Sequence, residues 1–574
     1  MIDEALEVFK KIYDKEGEKL VVNKHIPKDG TYILVNIESG KIIENLNIAY
    51  DKKSKKIDGE LNQYYSYIRA FDYYSNLVDM NKPMDSKKTI HSNQIYSFFI
   101  KKDSIRENKL TKSIIEGYKK NLLNPEEKYN SKEAKELYKN IANKLPEIEK
   151  DTVEKIFSWI ETNVNGDLLE DNKKDYLKIF FVENDLDTSL ELFKNEHKRY
   201  LIPNIFNSND YNKKIEETIY GLSNNNMGLN AKKTFLENKT RKISTPYLVD
   251  TEEILLQYAF YNYLLPEVKQ GNYFIYFTEN EIIPKTYKDA YPNGARYLLN
   301  ATYSKDIDIK NFNIISKSDS QEININFREI LHQKRKDSDE IEYGNLNREK
   351  IMNNINKILF YNSLLGNFLA SDGDLDIKDI EIKKLLMKYR NAFYKWFYLN
   401  DETEVKKSIK KIYLDAVMIA IGNGHLFKAN QQLDLGFCLE EYFYKKSELM
   451  EEIMSIKEVF LNHTLSEEDW ELLNDEEYFF AVGQILAYIN YMRNSKAKSL
   501  NFIKQLTFIK NPTILKEKIK KIVISYSHIF ETKNKKINRT ISNISLYQPK
   551  EIKIDILLAG FTADIVFFKK REEK

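Results

Sequence analysis

The segment HQKRKDSDEIEYGNLNREK (332–350) divides the chain into two stretches with different periodicities. Before it, short apolar runs alternate with turn residues. After it, apolar residues recur every three to four positions. The first pattern suits strands mixed with helices, and the second suits helices that each bury one stripe against a neighbour. The sequence therefore reads as α+β, with a mixed α/β half over 1–340 built on small sheets and an all-α bundle over 341–574. At 574 residues the chain exceeds one ordinary core, and its size suggests on the order of three to four domains, or two large ones.

In the first half, the Asp29-Gly30 turn precedes a strand at TYILVNI (31–37). Further strands are expected at IYSFFI (95–100), YLKIFFVEN (176–184), GNYFIYF (271–277) and ARYLLNATY (295–303), with helices at the start, over 61–80 and from about 110 to 164. In the second half the spacing predicts helices over 351–369, 380–399, 404–423, 477–492, 512–530 and 551–568, without a solenoid period. The run FFAVGQILAYI (479–489) is too short to cross a bilayer and carries Gln484, so it reads as a buried helix and no membrane role is expected. One cysteine, Cys438, excludes a disulfide framework and a multi-thiolate metal site, and its apolar surroundings make it a core residue of a cytoplasmic protein. The opening MIDEALEVFKKIYDKEG is an amphipathic helix, not a secretory signal.

Charge is segregated along the chain. Residues 491–550 hold fourteen Lys or Arg against two Glu, whereas 440–477 hold thirteen acids against three lysines, in a protein whose overall charge is +2. Such asymmetry points to a polyanion such as nucleic acid, although in a lysine-rich chain a solvated face competes with that reading. The Asn-rich loop within 213–248 offers amides suited to base edges and ammonium groups suited to phosphates, through Asn224, Asn225, Asn226, Asn230, Lys232 and Lys233. A second loop, 81–105, contributes Lys82, Lys87, Lys88 and His91 as candidate phosphate contacts.

Catalytic signatures are absent from the sequence. The seven histidines are dispersed, no phosphate-binding glycine loop occurs, and no GxSxG elbow occurs, so neither metal nor cofactor is expected. Asp372, Asp374 and Asp376 superficially suggest a two-metal nuclease, which is the alternative reading. Their glycine is misplaced for a calcium loop, and acids before a helix are ordinary first-turn residues.

Several stretches together resemble the large subunit of the type I-B CRISPR surveillance complex, Cascade (the Cas-eight-b family of the Csh type). They are MIDEALEVFKKI, YYSNLVDMNKPMDSKKTIHSNQIYSFFIKK, YGLSNNNMGLNAKKTFLENKT, YFFAVGQILAYINYMRNSKAKS and IDILLAGFTADIVFF, spread along the whole chain. The resemblance implies a non-catalytic antiviral-defence subunit whose N-terminal part reads the protospacer-adjacent motif (PAM) in target double-stranded DNA. It implies guide RNA, the displaced strand, the backbone and other Cascade subunits and the helicase-nuclease as partners. Asn224–Lys233 then becomes the PAM reader, and Lys82, Lys87, Lys88 and His91 meet guide or duplex phosphates. Arg493, Lys496, Lys498, Lys504, Lys520 and Lys521 would track a target strand, within a region from about 450 to 574 that is small-subunit-like. In this family that region can be made separately, and Met450 or Met454 would serve as the internal start.

Overall fold

Seven consecutive buried residues make Gly30–Asn36 (β1) the centre of the main N-terminal sheet. A strand buried on both faces needs partners on both edges. β1 pairs antiparallel with Ile42–Asp51 (β2), which continues to Lys56–Asp58 (β3). On its other edge it runs parallel to Tyr176–Val182, which pairs antiparallel with Ser97–Lys101. With Ser97–Lys101 as β4 and Tyr176–Val182 as β5, the order is β3-β2-β1-β5-β4. Gly30 lies opposite Tyr176, and a Cβ there would sit 2.5 Å from the Tyr176 carbonyl oxygen, so the close start of the parallel pair requires glycine.

The computed structural model describes residues 3–51, 54, 56–58, 62–169, 172–208, 211–223, 247–289, 291–304, 307–315, 323–331, 341–445, 449–466, 468–493, 501–530 and 534–569. Helices take 55% of the structure and strands 14%, with the sheets in the N-terminal half, as α+β requires. The chain forms two compact units: Met1–Thr286 with Leu299–Phe312, and Tyr287–Leu298 with Asn313–Lys574. The division thus falls N-terminal to the one expected at 340. The second unit also contains a short strand pair, Ile325–Phe327 with Gly344–Leu346, so 341–574 is not wholly helical.

In the first unit, Asp3–Glu16 (α1), Tyr65–Ser75 (α2), Leu186–Asn204 (α3) and Thr251–Lys269 (α4) supply the main helical packing. Phe71 of α2 stacks on Phe193 of α3 at 4.3 Å, and both rings lie against Phe180 of β5. One turn of chemistry interrupts this apolar layer. The Lys178 ammonium of β5 is buried, forms an ion pair with buried Asp72 of α2, and lies 4.5 Å from the Phe99 ring centroid. His25 Nε2 completes the group, 2.7 Å from Asp72 Oδ2. Burial alone would raise the Asp72 carboxyl, but Lys178 and His25 outweigh it and hold the carboxyl well below the usual carboxylate range.

The second unit is built around a helix that periodicity did not single out, Leu426–Tyr444. It follows Ile380–Leu399 (α5) and Thr403–Gly422 (α6), and we label it α7. From Ala429 to Leu439 every residue is buried, including Asn430, Gln431, Gln432 and Asp434. Three of them answer backbone atoms: Asn430 Nδ2 donates to the Thr562 carbonyl at 3.3 Å, Gln432 Nε2 donates to the Ile358 carbonyl at 2.9 Å, and Asp434 Oδ1 accepts from the Leu331 N–H at 3.3 Å. Cys438 is buried here with its thiol pushed up to about 12, chiefly by burial. Asp475–Met492 (α8), Asn501–Thr507 (α9), Pro512–Ser525 (α10) and Ile554–Thr562 (α11) follow. Helices expected over 351–369, 512–530 and 551–568 are shorter, ending at Ile358, Ser525 and Thr562. Met450 and Met454 fall inside the helix Leu449–Leu465.

α8 and α11 touch backbone to backbone. A Cβ on Gly483 would collide with the Leu557 carbonyl, and one on Gly560 with the Phe480 carbonyl. Gln484 locks the contact, donating to the Gly560 carbonyl at 2.7 Å and accepting from the Val566 N–H at 2.9 Å. No helix among the described residues is long and apolar enough to cross a membrane.

Two measurements test this packing. Lys178→Met leaves Asp72 buried without its cation and should cost about 3–5 kcal/mol in denaturant unfolding, while adding Asp72→Leu should recover most of the loss. Gly483→Ala should cost about 2–3 kcal/mol by forcing α8 from α11, whereas the exposed Gly373→Ala should change little.

Candidate nucleic-acid interface

Directly after His25, the chain Ile26–Asp29 leads into the central strand β1 and lines a groove of about 840 Å³. Lys28, Lys173, Lys174 and Lys269 supply its cations, and Tyr50, Tyr176 and Tyr303 its rings. The groove's carboxylates are already engaged. Asp29 Oδ1 accepts from the Tyr50 N–H at 2.8 Å, and Asp175 pairs with the buried Lys102 ammonium at 2.7 Å. Lys28 and Lys269 instead meet aromatic faces, at 5.8 Å from the Tyr176 centroid and 5.4 Å from the Tyr303 centroid. Burial draws the Lys269 ammonium below the ordinary lysine range, and the Lys28 charge adds to the effect. Two ammonium groups that repel each other beside aromatic rings are an arrangement that a bound anion relieves.

The 81–91 corner reaches this groove through one residue. His91 Nε2 donates to the Lys88 carbonyl at 3.0 Å, which leaves Nδ1 to accept from the Tyr176 hydroxyl at 3.1 Å. Burial lowers the pKa of this imidazole, with Lys101 and Lys28 nearby lowering it further. Lys88 holds a left-handed backbone conformation, φ 58°, and its exposed ammonium donates to Asn81 at 3.2 Å. Lys87 is exposed. Lys82 is a correction to the sequence reading: its ammonium donates to the carbonyls of Asn204 and Phe206, and burial lowers it to about 8, so it closes the end of α3 rather than offering a charge to phosphate.

A second basic groove, about 860 Å³, lies in the C-terminal unit among α5, α6, α9 and α11. Lys384, Lys388, Lys407, Lys410, Lys411 and Lys504 line it. Three of these are answered locally: Lys384 by Glu381 at 2.8 Å, Lys388 by Asp415 at 2.7 Å, and Lys410 by Asp555 at 2.6 Å. Lys407 and Lys411 stand four apart on one exposed face of α6. Lys504 lies over Gly422 at the C-terminal end of α6, where a helix favours a cation. Phe508, 82% exposed, stands at the edge.

The basic stretch 491–550 is therefore not one surface. Lys504 enters the groove, and Lys520 and Lys521 are exposed on α10. Arg493 lies 5.6 Å from the Phe502 centroid and 5.7 Å from that of Tyr526. Lys516, Lys536 and Arg539 bond to the carbonyls of Tyr547, Lys569 and Ser466 and serve the fold. Asn224, Asn225, Asn226, Asn230, Lys232, Lys233, Lys496 and Lys498 lie outside the described residues. The acidic triplet is dispersed into local roles: Asp372 pairs with Arg390 at 2.5 Å, Asp374 accepts from the Ser371 hydroxyl at 2.5 Å, and Asp376 is exposed. No three His, Cys, Asp or Glu among the described residues are placed to hold a metal ion.

Replacing Lys28 and Lys269 together by Gln should weaken nucleic-acid binding and flatten the plot of log affinity against log salt by roughly 1.5 to 2. Fluorescence anisotropy from low to moderate salt reads both effects, and an unchanged slope would remove this groove from the interface. Comparisons with protein-family models, with curated proteins and with solved structures find no match to the chain.

Proposed function

We propose that the chain is a non-catalytic, nucleic-acid-binding protein that acts as the large subunit of a type I-B CRISPR surveillance complex in the cytoplasm. The observation that carries the nucleic-acid part is the N-terminal groove, where Lys28 and Lys269 lack a carboxylate partner among the described residues and stand beside Tyr176 and Tyr303. Ammonium groups attract phosphates, and tyrosine faces accept stacked bases of any sequence. The C-terminal groove adds Lys407, Lys411 and Lys504 to the same chemistry.

The place in a surveillance complex rests on the resemblance of the sequence stretches. In that role the grooves hold guide-RNA or target-strand backbone, Asn224–Lys233 reads the PAM, and guide pairing supplies the remaining specificity. Recruitment of the helicase-nuclease belongs to the same proposal. The nuclease alternative has no geometric support, since Asp372 and Asp374 are tied to Arg390 and Ser371.

Co-expression with a guide RNA and the other subunits tests the role directly. The chain should co-purify with guide RNA, and Asn225→Ala, Asn226→Ala and Asn230→Ala together should assemble normally but lose discrimination between PAM and non-PAM targets. Neutralising Lys496, Lys498, Lys520 and Lys521 should instead weaken all targets about equally. Failure to assemble with guide RNA, or nucleic-acid binding that ignores salt, would defeat the proposal.

A further inference from the structure

The N-terminal unit holds a cavity of opposite character to its basic groove. It encloses about 530 Å³ between α1, α2, α3 and the N-terminal half of α4. Five carboxylates line it, Asp14, Glu18, Asp250, Glu252 and Glu253, against Lys10 and Lys198. Some of these acids serve the fold. Asp250 caps α4 by accepting from the Glu253 N–H at 2.7 Å, and Glu252 pairs with Lys10 at 3.2 Å. Asp14 stands one turn after Lys10, whose ammonium feels its charge, yet it occupies the last turn of α1, where a helix disfavours negative charge.

Aromatic rings form the wall. Tyr73 and Tyr74 meet edge to face at 5.2 Å, His197 packs on both, and Tyr258 packs on His197 at 6.5 Å. Burial pushes His197 down to about 4, so a neutral imidazole backs the cavity at neutral pH. The Tyr74 hydroxyl donates to Glu18 Oε2 at 2.8 Å, aiming that carboxylate along the wall. Tyr73 is only 9% exposed and lines the cavity, yet its hydroxyl bonds to no described residue. A phenol this deeply buried normally finds a partner, and here the open side is the cavity.

Rings at the wall and acceptors spread around it select the ligand class. A point-charge metal needs converging ligands, and no such cluster occurs among the described residues. A guanidinium spreads five donors over a plane that also stacks on aromatic faces. We propose that this cavity docks the guanidinium of an arginine side chain carried by a partner polypeptide. The planar group lies against Tyr73 and Tyr74 and donates to Glu18 and the Tyr73 hydroxyl. A chain-borne arginine fits better than the free amino acid, whose own carboxylate would enter a cavity already rich in carboxylates.

Calorimetric titration of the full chain tests this with N-acetyl-L-arginine amide, the isosteric citrulline derivative and free L-arginine. The arginine amide should bind with Kd on the order of 1 mM, with the citrulline derivative and free arginine each about tenfold weaker. Tyr73→Phe should weaken arginine-amide binding about threefold and Glu18→Gln about tenfold, at unchanged melting temperature, while Lys28→Gln should leave it unchanged. Equal binding of the citrulline derivative, no binding of the arginine amide, or full binding by both cavity variants would overturn the site. Tighter binding of free arginine would overturn the polypeptide source.

Discussion

An ammonium group enclosed in a sheet must be answered inside the protein, and in the N-terminal unit that demand fixes the geometry around it. Lys178 is buried in the middle of β5, and Asp72 of α2 meets it there, so the pair ties helix to sheet at one register. Two residues before Lys178, on the same face, stands Tyr176, which carries His91 and the Lys28 side of the groove. The second oxygen of Asp72 binds His25, three residues before Lys28. One carboxylate thus anchors both sides of the basic groove, through β5 and through the segment that follows His25. Separating Asp72 from Lys178 would leave two buried charges unanswered and loosen the site with the core, whereas His25, whose pKa burial lowers, adds a hydrogen bond to the same carboxylate.

Where burial is one-sided, or a short apolar run is bounded by turns, the sequence made the elements legible. β1, β4, β5 and the helices α5, α6 and α8 lie where periodicity places them. Among the helices it missed, α4 and α7 lack a one-sided pattern. α4, with Ile254, Leu264 and Val268 buried, carries apolar residues around most of its circumference. α7 is buried over Ala429–Leu439 yet contains Asn430, Gln432 and Asp434, residues that read as solvent-facing until their backbone partners are known. The position of the division was illegible for a similar reason: residues 287–298 join the second unit although 299–312 belong to the first, and chain order cannot express that exchange.

Charge counts show how many cations a segment has, not which of them are spent. Lys82 reads as a phosphate contact from its place in a basic loop, but it is consumed by the carbonyls at the end of α3, and Lys516 and Lys536 are likewise bonded to carbonyls. Lys28 and Lys269 each stand apart from any basic run, and only folding brings them beside Tyr176 and Tyr303. His91 is the exception, because its place in the loop before β4 was visible and its neighbour Tyr176 was not. In the second unit the repeat of Lys406 and Lys407 by Lys410 and Lys411 was a readable signal of a basic helical face.

α4 joins the two charged sites of the N-terminal unit and keeps them electrically apart. Its N-terminal end brings Asp250, Glu252 and Glu253 to the acidic cavity, and its C-terminal end brings Lys269 to the basic groove. Both placements follow the helix dipole, so the helix is stabilised by the same segregation that builds the sites. From Glu253 to Lys269 the axis spans roughly 24 Å at the helical rise, about three times the screening length at physiological salt. Between exposed charges, a polyanion in the groove should therefore leave the cavity's affinity for a cation little changed, and coupling between the two would have to travel mechanically. The path available is α4 itself, packed through Phe260 and Tyr263 against Phe9 of α1. A chain with almost balanced total charge can in this way present a basic groove and an acidic cavity on one unit without either cancelling the other.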